Sequence, residues 1–437
     1  MTSAKEMNFD ALVLGGGIAG LQSALELADQ GYQVAVIERD PSIGGKMIRL
    51  SKVFPTLDCA SCITTPKMAA SSHHPNITLL TMCELKALER ADGWLKAQVI
   101  QKPRYVDEDK CIGCRQCEYN CPVYVPDHEQ AGFTARKAIY IPFSNAIPQI
   151  ATLDVENCSL CGKCAKVCPT DAVDYLQQPQ ELLITARTLI LATGYRLMED
   201  FPSRVYGPAA DQPNLITSLD MERLLAPHGP YSRVLRPSDG KEPDSIAFIQ
   251  CAGSRDIQNG VSYCSRVCCM YAIKQAMLLS GALPLADLTI YYMDIRAFGK
   301  NYEQFFQNAK AMGIEFVKAR PVVSGQGEGG GVLLRYEDME GSGEVVVREH
   351  DLVVMSLAIL PEWNPSGIVD AQVADDGFIQ SVSPKLAPAV TSMEGVFTCG
   401  VAAGPKDIVD TIVEAGHAAR EASQYLARFK ASEPAAA

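Results

Sequence analysis

The sequence predicts an α/β fold in which two nucleotide-binding-type domains are interrupted by a small cysteine-rich one. Three observations carry this. Residues 11–38 read as a βαβ unit with a glycine-rich turn; a four-cysteine run occurs twice, at 111–122 and 158–169; and a second strand–helix pair spans 245–279, with cysteines where a glycine turn would stand.

Ala11 to Leu14 is a short apolar strand, and Gly15-Gly16-Gly17-Ile18-Ala19-Gly20 makes the turn. Leu21 to Gln30 has helical apolar spacing, and Tyr32 to Ile37 is a second strand ending at Glu38 and Arg39. Glycines let the backbone approach a pyrophosphate, the helix start offers free N–H groups, and an acid at Glu38 accepts from a ribose hydroxyl. This context fits FAD or NAD equally. Gly44-Gly45-Lys46-Met47 follows, and Thr188-Leu-Ile-Leu-Ala192-Thr193-Gly194-Tyr195 comes much later. Both resemble the flavin-binding pattern of the glutathione and thioredoxin reductase group, as does Gly395-Val-Phe-Thr-Cys-Gly400. In that group the last segment is followed by an Asp on the flavin side chain. Here Val401 follows, and Asp407 is the substitute candidate.

The insertion holds Cys111, Cys114, Cys117 and Cys121-Pro122, then Cys158, Cys161, Cys164 and Cys168-Pro169, in one repeated C-x2-C-x2-C-x3-C-P pattern. Soft thiolates at this spacing suit iron–sulfur cubanes, and the repeated C-P ending favours clusters over zinc. In two-cluster ferredoxins the fourth cysteine of each run crosses over. Cys111, Cys114, Cys117 and Cys168 are therefore assigned to one [4Fe–4S] cluster, and Cys158, Cys161, Cys164 and Cys121 to the other.

Ser245 to Gln250 reads as a strand and Val267 to Leu279 as a helix. Between them Cys251-Ala-Gly-Ser-Arg carries one glycine, too few for a phosphate turn, so NAD(P)H binding is not expected here. Cys251, Cys264, Cys268 and Cys269 form a C-x12-C-x3-C-C run instead. If Cys264 opens the helix, three thiolates gather on its first turns, where the dipole favours the charged form. The competing reading is four cysteines packed as small hydrophobes.

At these residues the chain resembles the A subunit of heterodisulfide reductase and its relatives, which include the A subunit of a quinone-interacting complex of sulfate reducers. The matching segments are residues 15–20, Thr56-Leu-Asp-Cys59-Ala-Ser-Cys62 with Pro66-Lys-Met68, the insertion, 251–274 and 400–410. The resemblance implies a thioredoxin-reductase-like two-dinucleotide-binding-domain flavoprotein with an inserted 2[4Fe–4S] ferredoxin-like domain. It implies FAD and three [4Fe–4S] clusters, the third of an unusual type held by Cys251, Cys264, Cys268 and Cys269. Lys274 would then stand near the flavin; otherwise it is a solvated helix lysine. Larger members carry further cluster domains at both ends that these residues do not include, so different wiring to partner redox subunits is expected. The expected divisions are 1–103, 181–240 and 361–437 for the FAD domain, 104–180 for the ferredoxin domain, and 241–360 for a degenerate NAD(P)-type domain.

Cys59 and Cys62 have three readings: a flavin-adjacent redox dithiol, two ligands of a cluster completed by Cys83, Cys399 or a partner chain, and a structural pair. The first would make the chain a stand-alone NAD(P)H-dependent disulfide oxidoreductase; the main expectation is an electron-transfer subunit passing electrons between the [4Fe–4S] clusters and FAD, with bifurcation or confurcation at the flavin left open. A quinone-linked respiratory subunit is a further alternative. The six histidines are scattered, with His73 and His74 read as loop surface. A formal charge of −12 in 437 residues argues against nucleic acid and an anionic bilayer surface. No apolar run reaches the ~18 residues of a membrane helix. The expected setting is the cytoplasm of an anaerobe, peripheral to a membrane only through a partner, with homodimerisation left open.

Overall fold

The computed structural model describes residues 4–341 and 343–430. Its first sheet has seven strands, in the order 381–383, 387–391, 396–398, 188–191, 11–14, 34–37 and 77–80. The central pairs are parallel, and Ala-Leu-Val-Leu at 11–14 and Val-Ala-Val-Ile at 34–37 are buried throughout. Such unbroken apolar strands arise because both faces are covered. On one face lie helices α1 (Ile18–Ala28) and, from the far end of the chain, Ile408–Lys430. Their contact is lined by alanines (Ala24, Ala28, Ala415, Ala418, Ala422), which lets the two helices and the sheet approach closely. On the other face packs a four-stranded sheet, 5–8, 180–186, 94–101 and 83–91, through Leu85, Val99, Leu182 and Ile184.

The second sheet is wholly parallel, in the order 215–217, 352–357, 245–252, 287–292 and 315–318. Leu215–Thr217 therefore belongs with this sheet, although the sequence divisions place it in the FAD part at 181–240. A strand pairs with its neighbour in space, and 215–217 finds 353–355. The pair 195–197 and 359–361 joins the two domains.

The insertion is small and loop-rich, and its core is built from Val106, Ile139, Ile141, Ala172 and the cysteines themselves. Helix α2 (Ala60–His73) includes His73, whose Nδ1 lies 2.8 Å from the Ala69 carbonyl oxygen, so His73 ends a helix instead of lying in a loop. Within the insertion, α3 (Gln116–Asn120) and α4 (Lys163–Val167) each lie inside one cysteine run, carrying its third cysteine, Cys117 and Cys164, with the fourth as C-cap. Helices α5 (Phe201–Tyr206) and α6 (Ser218–Leu225) precede α7 (Cys268–Ala282), α8 (Tyr302–Ala311) and α9 (Ile408–Lys430). Among the described residues no helix is long and apolar enough to cross a membrane.

Candidate functional site

A cleft of about 1090 Å³ opens between the two sheets. That is the upper end of the range for small-molecule and cofactor sites, ~300–1,000 Å³. Gly15, Gly17, Ile18, Ala19, Glu38, Arg39, Gly45, Lys46, Ala192, Thr193, Gly194, Lys274 and Asp407, all singled out from sequence, line it. Gly20 and Gly400 do not. They act in the packing behind the cleft: a Cβ on Gly20 would stand 1.9 Å from the Gly15 carbonyl oxygen, and one on Gly400 would stand 2.9 Å from the Ala19 Cβ.

The glycine turn is shaped for an anion. Gly15 has φ +109°, and a Cβ there would meet the Ala192 carbonyl oxygen at 2.4 Å. Gly17 opens α1 with no side chain capping it, so the helix's first N–H groups face the cleft. Gly17 and Gly45 approach so closely that a Cβ on Gly45 would lie 2.8 Å from the Gly17 Cα. Glu38 accepts from the Gly16 N–H at 2.7 Å and the Asp40 N–H at 2.9 Å. Burial, then the Asp40 charge, push its carboxyl up to about 7. A pyrophosphate cradle ending in a buried acid fits a dinucleotide cofactor.

The opposite wall holds residues that sequence reasoning missed. Glu362 accepts from Arg39 and from Lys46, each at 2.8 Å, and Lys46 lies over the Tyr195 ring at 5.1 Å. Lys274 is buried, not a solvated helix lysine. Its ammonium donates to the Lys52 carbonyl at 2.8 Å and to Glu222. Glu222 also accepts from the Ser51 N–H at 2.9 Å, the Ser51 hydroxyl at 2.6 Å and the Gln275 amide at 2.5 Å. Burial works against the charge on Glu222, but Lys274 and these donors hold it below the usual carboxylate range; burial also lowers Lys274. Asp407 lines the cleft while its carboxylate accepts from the Tyr302 hydroxyl at 3.1 Å and the Asp410 N–H at 2.8 Å.

Two sets of cysteines gather nearby. Cys251, Cys264, Cys268 and Cys269 lie close together: after burial, Cys264 raises the Cys251 thiol, and Cys251 and Cys264 raise those of Cys268 and Cys269, the last to about 11. Cys251 sits at a bulge in strand 245–252, at φ +55°, a conformation rare outside glycine that turns its side chain toward the others. Helix α7 begins at Cys268, so Cys264 lies outside it and only Cys268 and Cys269 share its first turn. The condition that Cys264 opens the helix is therefore not met, while the helix expected from Val267 starts one residue later. The cause is local: Arg266 takes φ +66°, and its N–H points at the Cys264 sulfur at 3.2 Å. One turn further along α7, Tyr271, Lys274 and Gln275 line the cleft, and the Tyr271 hydroxyl lies beside the Cys268 sulfur. Thus one helix carries both the cysteine site and the cleft wall.

In the insertion, Cys111, Cys114, Cys117 and Cys168 surround one small cavity, the crossed set. The Ala172 N–H points at the Cys168 sulfur at 3.2 Å. Cys158, Cys161 and Cys164 cluster around the Tyr175 hydroxyl, which lies 2.9 Å from the Cys164 sulfur, and the buried Cys121 packs in the same core. Among the described residues no three His, Cys, Asp or Glu side chains converge on a point as a single metal ion requires. The first set encloses a void instead, which suits a polynuclear cluster. Cys59 and Cys62 stand at the start of α2, outside the cleft lining. Neither Cys83, set against Glu108 and Arg104, nor Cys399, 3.5 Å from the Ser23 hydroxyl, joins them.

The fold and the two kinds of site define a FAD-dependent oxidoreductase carrying [4Fe–4S] clusters. Residues 10–60 match the FAD dependent oxidoreductase family and residues 110–172 the 4Fe-4S dicluster domain. Thioredoxin reductase of T. acidophilum shares the fold, with a TM-score of 0.53 at 14% identity over 97% of this chain and 99% of that one. Bacillithiol disulfide reductase of Bacillus cereus does so with 0.51 at 12% identity, over 97% and 100%. Over nearly its whole length the chain is similar to the A subunits of heterodisulfide reductases, at 40–44% identity. It is 43% identical over 429 residues to the iron-sulfur A subunit of the CoB–CoM heterodisulfide reductase of Methanocaldococcus jannaschii, covering 97% of this chain and 65% of that protein. It is 40% identical over 430 residues to the A subunit of the ferredoxin:CoB-CoM heterodisulfide reductase of Methanosarcina mazei, covering 97% and 54%. It therefore spans less than two thirds of the length of these relatives.

Proposed function

We propose that this chain is the FAD- and iron–sulfur-containing electron-transfer component of a heterodisulfide-reductase-like complex, moving electrons between three [4Fe–4S] clusters and FAD. One observation carries this reading: Cys251, Cys264, Cys268 and Cys269 gather where a nicotinamide-binding domain would hold its phosphate turn, one helical turn from the flavin cleft. When bound, FAD supplies conversion between two-electron and one-electron chemistry, as electron bifurcation requires.

The protein's own residues do the rest. The α1 N-terminus and Gly15, Gly17 and Gly45 hold the pyrophosphate, and Glu38 the ribose. Lys274, charge-balanced by Glu222, sets a buried cation in the cleft wall, which favours an electron-rich flavin. The twelve cysteines hold the three clusters, Cys121 crossing to join Cys158, Cys161 and Cys164. Partner redox subunits supply the terminal donor and acceptor; a quinone-linked membrane partner is one such wiring, and the setting is the cytoplasm.

Iron and flavin analysis of anaerobically purified protein tests it. About twelve irons per FAD, from three four-iron clusters, is the expected result. About eight, or a Cys268→Ser variant that keeps all its iron, overturns the third site. Rapid bleaching of the flavin by NADPH or NADH would instead support a stand-alone nicotinamide-dependent reductase.

A further inference from the structure

Cys59 and Cys62 belong to none of the sites above. Cys59 is the N-cap of α2 and Cys62 lies in its first turn, so both thiols stand at the positive end of a 14-residue helix. Cys62 is exposed and Cys59 partly so. The two cysteines stand three positions apart, at the N-cap and in the first turn of one helix, which makes their side chains neighbours there. Cys111, Cys114, Cys117 and Cys168 of the insertion, by contrast, line a cavity. The two remaining cysteines, Cys83 and Cys399, are buried against other partners. Among the described residues no other cysteine joins them; what stands here is an accessible pair of thiols at one helix start.

We propose that Cys59 and Cys62 are a dithiol that exchanges with an external organic disulfide and closes to an intrachain disulfide. The Cys59 thiolate attacks one sulfur of R–S–S–R; the S–S bond breaks, a Cys59–S–S–R bond forms, and RS⁻ leaves to take a proton. Cys62 then loses its proton, attacks the Cys59 sulfur and expels the second RS⁻. Two electrons and two protons pass from the pair to the disulfide, giving two RSH.

The environment assigns the roles. Slight burial works against a charge on Cys59, but the Cys62 N–H and thiol, the Ser61 N–H and the Lys52 ammonium hold its thiol below the ordinary range, while Cys62 is raised by its neighbour Cys59. Cys59 is the attacking sulfur and Cys62 the resolving one. Cys59 also pairs its backbone with Lys52, a cleft-lining residue whose carbonyl receives the Lys274 ammonium, so the pair adjoins the cleft wall. The proposal holds whether or not three clusters are present.

The test uses the anaerobically purified holoprotein. It is exposed separately to 2-hydroxyethyl disulfide and to insulin, alkylated, and digested with trypsin. Peptide 53–67 contains these two cysteines and no others. The expected peptide is unalkylated and two hydrogens lighter than the dithiol form, and dithiothreitol reverses this. Cys62→Ser should trap the mixed disulfide on Cys59, and Cys59→Ser should form no intrachain disulfide and take up the mixed disulfide on Cys62 about tenfold more slowly. Closure by the small disulfide alone identifies a small-molecule co-substrate, and closure by insulin alone a protein one; either supports the dithiol. A doubly alkylated peptide after both treatments overturns it. So does a Cys59→Ser variant that loses iron, which would make the pair cluster ligands completed by a partner.

Discussion

Replacing Lys274 by Met removes the cation from a pair in which both side chains are about 3% exposed. Glu222 would be left charged inside the protein, and breaking a buried pair from one side costs ~3–5 kcal/mol. Glu222 keeps the Ser51 N–H, the Ser51 hydroxyl and the Gln275 amide as donors, which places the loss near the lower end, at about 3 kcal/mol. The sign with pH follows from the environment. In the native protein Glu222 lies below its ordinary value, so its contribution is present above pH 4.5 and disappears as pH falls below that. Without Lys274 burial dominates, and the carboxyl rises above 4.5. The penalty then grows as pH rises through that interval and shrinks on acidification. Urea unfolding followed by circular dichroism at pH 7.5 and 5.5 measures it. The expected result is a midpoint loss at pH 7.5 that narrows at pH 5.5 and is largely restored by adding Glu222→Gln. An equal loss at both pH values, with no restoration, would refute the buried-pair reasoning.

Two further outcomes are expected. Cys111→Ser and Cys168→Ser, 57 residues apart in sequence, should each lower the iron content by about four and abolish the same electron paramagnetic resonance signal, because both side chains face one cavity. Different lost signals would show that the fourth cysteine does not cross. The Glu38 carboxyl, raised to about 7 by burial, accepts more strongly from a ribose hydroxyl when it is ionised. Flavin affinity measured by fluorescence titration should therefore strengthen from pH 6 to pH 8, and Glu38→Gln should be weaker and flat over that range.

The features legible in the chain are those whose parts lie within a few residues of one another. Gly15 to Gly20 must turn sharply after a strand, and three cysteines two apart must wrap one face of a cubane, because bond geometry leaves little else. The alternation of apolar strands with helical spacing announced the sheet order only as a class; that 215–217 joins the second sheet was decided by which strand edge it meets.

Distance along the chain explains the rest. Glu222 and Lys274 are 52 residues apart, and nothing local marks Glu222 as other than a surface acid of α6. Glu362 reaches Lys46 across 316 residues. The cysteines at 251, 264, 268 and 269 announced themselves by spacing, but their convergence depends on the bulge at Cys251 in strand 245–252 and on the left-handed turn at Arg266 that precedes α7. By itself the sequence determined the ligand types, the nucleotide turn and the α/β class, since these are written in local spacing. The tertiary structure decided which charges are buried, which partners neutralise them and which thiols meet, because burial and pairing come from segments that only the folded chain brings together.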